Sequence, residues 1–310
     1  MLRVWGRWSA TVIGVAALLL LLVDAAPGDA IDLLPDGESL RPELERRWHL
    51  DRSLPERLFR WLSGVATGDL GTSWVVRPGA TVQEVLAGPA TQSMVRLAAA
   101  IALSMTAGVV LAWGRPEGRT WARAPLSIVS LAPVFLLAHL AVAGLNAAAW
   151  YAMEAGWIPR PDWFALPTEP SWLRGALAVT VLAVGSGALS GLVADIDDAL
   201  ARLHQAPFVR AARARGEPTG RMLSRHLIPT LAALVSDRIA FFIGGLVILE
   251  KVLLLGGAGA LLWRASLERD VELVLSIGLG AGILVATGRL VSDLVRAWVD
   301  PRLTAIGADP

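Results

Sequence analysis

Six runs of about twenty apolar residues divide this chain, and a water-soluble fold has no place for so many. They fall at residues 8–26, 93–113, 125–147, 173–194, 231–249 and 271–298. Roughly 20 apolar residues in a helix cover the ~30 Å hydrocarbon core of a bilayer. Lipid offers no hydrogen-bond partners, so each run must satisfy its own backbone and is expected as a helix. The expected fold class is all-α and polytopic, with about six transmembrane helices. Composition agrees, with 55% hydrophobic and 18% charged residues, where soluble domains average about 25% charged.

The first run is ambiguous by itself. Arg3, Arg7, the run 12–23 and the small residues Ala25 and Ala26 also suit a signal peptide. Residues 1–26 are taken as a first transmembrane helix and 27–92 as an extracytoplasmic segment. Residues 93–300 are then a five-helix transmembrane core, and 301–310 a cytoplasmic tail. Arginine placement orients the chain. With the N-terminus inside, the inner segments hold Arg3, Arg7, Arg115, Arg119, Arg123, Arg202, Arg210, Arg213, Arg215, Arg221, Arg225 and Arg302. The short outer loops hold Arg160, Lys251, Arg264 and Arg269. Twelve against four favours both termini in the cytoplasm. Tryptophans at positions 5, 8, 113, 121, 150, 157 and 172 lie near helix ends, where an interfacial belt would put them.

Several chemistries are excluded. There is no cysteine, which removes disulfides, thiolate metal sites and cysteine nucleophiles. Lys251 is the only lysine, so no G-x-x-x-x-G-K-[ST] phosphate loop exists. A net charge of +1 offers no broad face for nucleic acid. His49, His139, His204 and His226 form no metal-spaced pair, and His139 is expected to be packed and hydrogen-bonded. Ser186 and Ser190 lack the G-x-S-x-G setting of a nucleophile. Asp69 is expected to cap a turn between Gly68 and Gly71. Glycines cluster at 185, 187 and 191, at 244 and 245, and at 278, 280 and 282. Gly187 and Gly191 read as a small-xxx-small pair for close helix packing; sliding surfaces are the other reading.

The most distinctive segment is PFVRAARARGEPTGRMLSRHLIP, residues 207–229. Asp195, Asp197 and Asp198 suit the positive end of a short helix before it. Pro207 suits a first helical turn, and Gly216 the positive φ of a helix C-cap. Thr219 is a candidate N-cap for a third short helix reaching His226, with Pro229 starting the return to the membrane. Ala211, Ala212 and Ala214 make a small-residue surface flanked by arginines suited to carboxylates. A docking lever fits these residues, and so does a basic loop on anionic lipid.

Ala211-Ala212, Gly216 and the later His226-Leu227-Ile228-Pro229 resemble the EAA loop, about residues 195–230, of ABC-importer permeases. The resemblance is to the branch for dipeptides, oligopeptides and nickel, and it continues through other words. Ala26-Pro27-Gly28-Asp29, Leu50 to Pro55, Arg60-Trp61-Leu62, Gly68-Asp69-Leu70-Gly71-Thr72-Ser73 and Ala90-Thr91 are similar to that branch. So are Pro133-Val134-Phe135, Glu268-Arg269-Asp270 and Asp300-Pro301-Arg302.

The resemblance implies a type I importer permease and no enzyme. It implies a second, distinct permease, two ATPase subunits that bind ATP, and an extracytoplasmic substrate-binding protein. No cofactor is expected in this chain, membrane lipid is a further partner and nucleic acid is not, and the expected location is a bacterial cell (inner) membrane. Arg210, Ala211, Ala212, Arg213, Arg215, Gly216, His226 and Pro229 are then the residues that couple to an ATPase. Peptides are the expected cargo, with nickel or another small solute the alternative. A membrane protein that has lost transport is a third reading, because the pattern departs from the branch in places. Phe208 replaces a tyrosine, and residues 255–259 replace Pro-Gly-x-Gly. Arg289 and Arg296 stand inside the last span, where Asp293 is placed to neutralise Arg289 as a structural pair; the other reading is a charge pair lining the path.

Overall fold

The computed structural model describes residues 2–25, 31, 37–113, 120–157 and 171–299. It contains α1 (Leu2–Asp24), α2 (Gly37–Arg47), α3 (Leu54–Ala66), α4 (Val82–Trp113), α5 (Thr120–Leu131) and α6 (Val134–Glu154). There follow α7 (Ser171–Val184), α8 (Ala188–Gln205), α9 (Pro207–Ala214), α10 (Gly220–Val252), α11 (Ala258–Leu267) and α12 (Val271–Val299). Among the described residues the only β pairing is one isolated bridge, Thr72 to Thr81. The all-α expectation holds there. Several assigned words and charges lie outside the described residues: Ala26-Pro27-Gly28-Asp29, Asp300-Pro301-Arg302, Arg115, Arg119, Arg160 and the tail 301–310.

The six expected spans are realised less evenly than the apolar runs suggest. Four described helices, α4, α6, α10 and α12, are long and apolar enough to cross a membrane, and α7 with α8 makes a fifth if that bent pair is one span. In α1 the apolar part, Trp8–Asp24, is shorter. The third run, 125–147, is cut between α5 and α6, because Pro133 holds its predecessor away from the helical region. The fourth run is cut at 185–187, where Ser186 and Gly187 have φ of 48° and 80°, and its halves diverge by 42°. Gly187 is therefore the N-cap of α8, not one half of a helix-face pair with Gly191.

Two compact units result. The first comprises residues 1–93 and 256–287. Its core joins Ala16 and Leu20 of α1, Trp61 of α3 and Trp74 to Val271, Leu275 and Leu279 of α12. Trp48 stacks on Trp74 at 4.7 Å between ring centroids. A Cβ at Gly282 would lie 3.0 Å from Val15, and one at Gly278 would collide with Leu19. These two glycines, one turn apart, are the small-xxx-small pair that lets α1 approach α12. Turns are capped as their residues dictate. The Gly71 amide donates to Asp69 Oδ1 at 2.9 Å, and the Ser53 amide donates to Glu56 Oε2 at 3.4 Å at the start of α3.

The second unit comprises residues 94–255 and 288–310. Its core is built on Leu189, Leu192, Val193, Ile196 and Leu200 of α8, with Ala112 of α4 and Leu227 of α10. Gly108 admits Leu192, whose Cδ2 would stand 2.8 Å from an added Cβ. In lipid such interfaces are held by packing more than by the hydrophobic effect, so close fit matters most. The two helix breaks meet in this unit. Ser186 Oγ donates to the Ala132 carbonyl at 3.2 Å, so one interruption satisfies a group freed by the other.

Candidate functional site

The segment 195–229 folds into a helical hairpin base, built differently from the sequence expectation. Asp195, Asp197 and Asp198 do not open a short helix, because α8 already begins at Ala188. One extended residue, Ala206 (φ −63°, ψ 138°), separates α8 from α9. Pro207 then starts α9 where a missing N–H costs nothing. The expected stop at Gly216 is present and complete. With φ +75°, Gly216 donates to the Arg213 carbonyl and Glu217 to the Ala212 carbonyl, both at 3.0 Å. Those are the two bonds of a Schellman cap.

The third short helix does not exist as a separate element. From Gly220 to Val252 the backbone is one helix of 33 residues, with Pro229 inside it. Thr219 precedes it without a side-chain capping bond. Pro229 has no N–H for the Arg225 carbonyl, yet the helix runs on through it, with Leu227 and Leu231 on either side packed into the core of the unit. His226 lies on the first turns of α10, its Nδ1 2.8 Å from the Met222 carbonyl. Its ring meets that of Phe208 at 4.8 Å, tilted by 32°, which ties α9 to α10.

The faces of α9 sort the candidate residues. Arg210, Ala211, Arg213, Ala214, Arg215 and Gly216 are exposed. Val209 and Ala212 are fully buried. Ala212 is thus corrected from a docking-surface residue to an anchor, since positions 209 and 212 lie on one helix face turned into the protein. Arg215 Nε bonds Glu217 Oε1 at 2.7 Å. That bond, then the charge beside it, raises the Arg215 pKa and lowers that of Glu217.

Arg289 and Asp293 share a face of α12 and are both exposed. No ion pair joins them among the described contacts, so the expected neutralising pair does not close. His139 behaves as expected, its Nδ1 2.8 Å from the Phe135 carbonyl.

Three carboxylate contacts went unread in the sequence. Arg238 Nη2 of α10 meets Asp195 Oδ2 of α8 at 2.7 Å. Arg96 Nη1 of α4 meets Glu250 Oε1 of α10 at 3.0 Å, with Glu250 fully buried. The third is in the first unit, where fully buried Asp270 accepts hydrogen bonds at Oδ2. Its donors are Ser73 Oγ at 2.5 Å, the Trp74 and Val75 amides at 3.0 Å and the Val76 amide at 3.1 Å. The available signal was a charge inside an apolar run, at Arg96, Arg238 and Glu250, which is costly unless paired.

Known proteins agree with this architecture. Residues 100–305 match the family described as binding-protein-dependent transport system inner membrane component. The oligopeptide transport system permease protein AppB of Bacillus subtilis is 24% identical over 94% of this chain and 95% of its own length. A putative peptide permease protein of Brucella ovis is 27% identical over 94% of each chain. The oligopeptide transport system permease protein OppB of Haemophilus influenzae is 25% identical over 84% of each. A family match over most of the chain, on an all-α scaffold with several apolar spanning helices, fixes the class. This chain belongs to the inner membrane components of binding-protein-dependent transport systems, as a multi-pass permease and not an enzyme.

Proposed function

We propose that the chain is one permease half of a bacterial ABC importer for di- and oligopeptides, driven through α9 by an ATPase subunit. The observation that carries this is α9 itself. It is a short, Schellman-capped helix presenting Arg210, Ala211, Arg213, Ala214 and Arg215 outward, anchored by Val209 and Ala212. Small residues let a groove close on the backbone, while the arginines offer bidentate contacts to carboxylates. In this reading both termini are cytoplasmic. A second permease of the same family completes the path, and a binding protein delivers cargo from outside. Closure of two ATPases on ATP moves α9 and the helices joined to it as rigid bodies. The peptide assignment follows the peptide and oligopeptide names of the relatives.

Ala211→Asp is the direct test, because Ala211 is exposed and its side chain fills no core. Purified with its partner subunits, this variant is expected to lose at least tenfold in peptide uptake and to co-purify with less ATPase. Its amount in the membrane is expected to be unchanged. Uptake at the parental rate overturns the assignment of α9 as the coupling element.

A further inference from the structure

We propose that Asp195 and Arg238 form a brace that makes α8, α9 and α10 one rigid lever, so that a push on α9 reaches the interior of the bundle. The inference rests on the coupling reading of α9. A short helix joined to its neighbours by Ala206 on one side and residues 215–219 on the other has two joints. Left to themselves, α8 and α10 would scissor about those joints, and displacement at the base would be absorbed there. The 2.7 Å contact between Arg238 Nη2 and Asp195 Oδ2 closes the open side of that triangle. Asp195 stands eleven residues before Ala206, about 16 Å along α8 at 1.5 Å per residue. Arg238 stands nineteen residues after Thr219, about 28 Å along α10, well beyond the basic turns at Arg221, Arg225 and His226.

The chemistry suits a brace better than a glue. Apolar side chains between helices tolerate sliding along the axis, whereas a charge-assisted hydrogen bond is directional. Placing an arginine in an apolar helix is costly unless it is paired. Arg238 is mostly buried at 19% exposure, while Asp195 is half open at 48%. Gly191 lies beside the pair: a Cβ there would be in ordinary van der Waals contact with Arg238 Nη2, at 3.5 Å. Among the described residues α8 and α10 also form the most extensive helix–helix contact, so the brace locks an interface that is already close.

The chain has no native cysteine, which allows spin labels at Ala201→Cys on α8 and Phe241→Cys on α10. The measurement uses the full transporter in liposomes, with partner subunits free of reactive cysteines, before and after trapping with ATP and vanadate. The braced parent is expected to give one narrow α8–α10 distance distribution in both states. Asp195→Asn and Arg238→Gln are expected to match it without nucleotide and to broaden at least twofold on trapping. The exchanged pair, Asp195→Arg with Arg238→Asp, is expected to restore the narrow distribution. Unchanged width on trapping overturns the brace. So does equal broadening in both states, which marks a merely structural contact. A label at Arg213→Cys reads the other question. An α9 signal that ignores trapping removes the coupling reading, whereas a responding α9 with unchanged α8–α10 widths removes the brace alone.

Discussion

Single charged groups in this chain differ sharply in what they do, and burial decides which matter. Glu250 is fully buried against Arg96, and removing one member of a buried ion pair costs up to about 3–5 kcal/mol. Glu250→Ala is expected to lower the unfolding midpoint in detergent by several degrees. Arg96→Leu with Glu250→Leu is expected to lower it less, because replacing both members of a buried pair by apolar residues costs less than removing one. Arg215 and Glu217 show the contrast, since both are solvent-exposed and their pair anchors nothing. A backbone effect appears at Leu254, which has φ +52° and the Schellman bonds after α10 (Leu255 amide to Glu250 carbonyl, 2.8 Å). A left-handed conformation is unfavourable for leucine by about 1–2 kcal/mol. Leu254→Gly is expected to raise the midpoint in thermal unfolding of the purified protein, because that relief exceeds the roughly 0.5–1 kcal/mol cost of glycine's added backbone freedom. The ionic residues themselves were visible in the sequence. Their partners were not, because pairing spans 43 residues at Asp195–Arg238 and 154 at Arg96–Glu250.

Helices were legible where apolar runs were long, and illegible where an interruption fell inside a run. The end of α9 at Gly216 followed from local chemistry, since only the residues within one turn are involved. The fusion of the expected third helix into α10 did not, because Pro229 is tolerated by packing that no local window contains. The breaks at Pro133 and Gly187 were each marked by residue type, yet the apolar count on either side concealed them. Their shared bond, Ser186 to the Ala132 carbonyl, depends on tertiary placement alone. Glycine function was likewise misplaced along the chain. Gly278 and Gly282, not Gly187 and Gly191, are the close-approach pair. Gly282→Leu is expected to force α1 from α12 and to cost about 1–3 kcal/mol by overpacking. Faster proteolysis of the α1–α2 connection, with the α9 region unaffected, is the measurement that checks it.

For the molecule as a whole, the arginine asymmetry is the strongest statement the sequence makes, and it yields a direct expectation. In a chain without cysteine, Arg213→Cys is expected to react with a membrane-impermeant maleimide only after the cells are opened. Phe59→Cys, whose parent side chain is 76% exposed on α3, is expected to react in intact spheroplasts. The reverse pattern overturns the orientation, and with it the cytoplasmic placement of α9. The class was thus readable from residues, while the buried ionic framework required three dimensions.

The Asp270 carboxylate also imposes a timetable on biosynthesis. The amides of residues 74–76 have no local acceptor of that kind, and their own arrives 194 to 196 residues later. At about 5–20 residues per second, that interval on the ribosome is roughly 10–40 s. Throughout it those amides are left to water or to transient partners. A transcript truncated just before codon 270 should therefore yield a product that is inserted, unlatched and open to quality-control proteases at its outer loop.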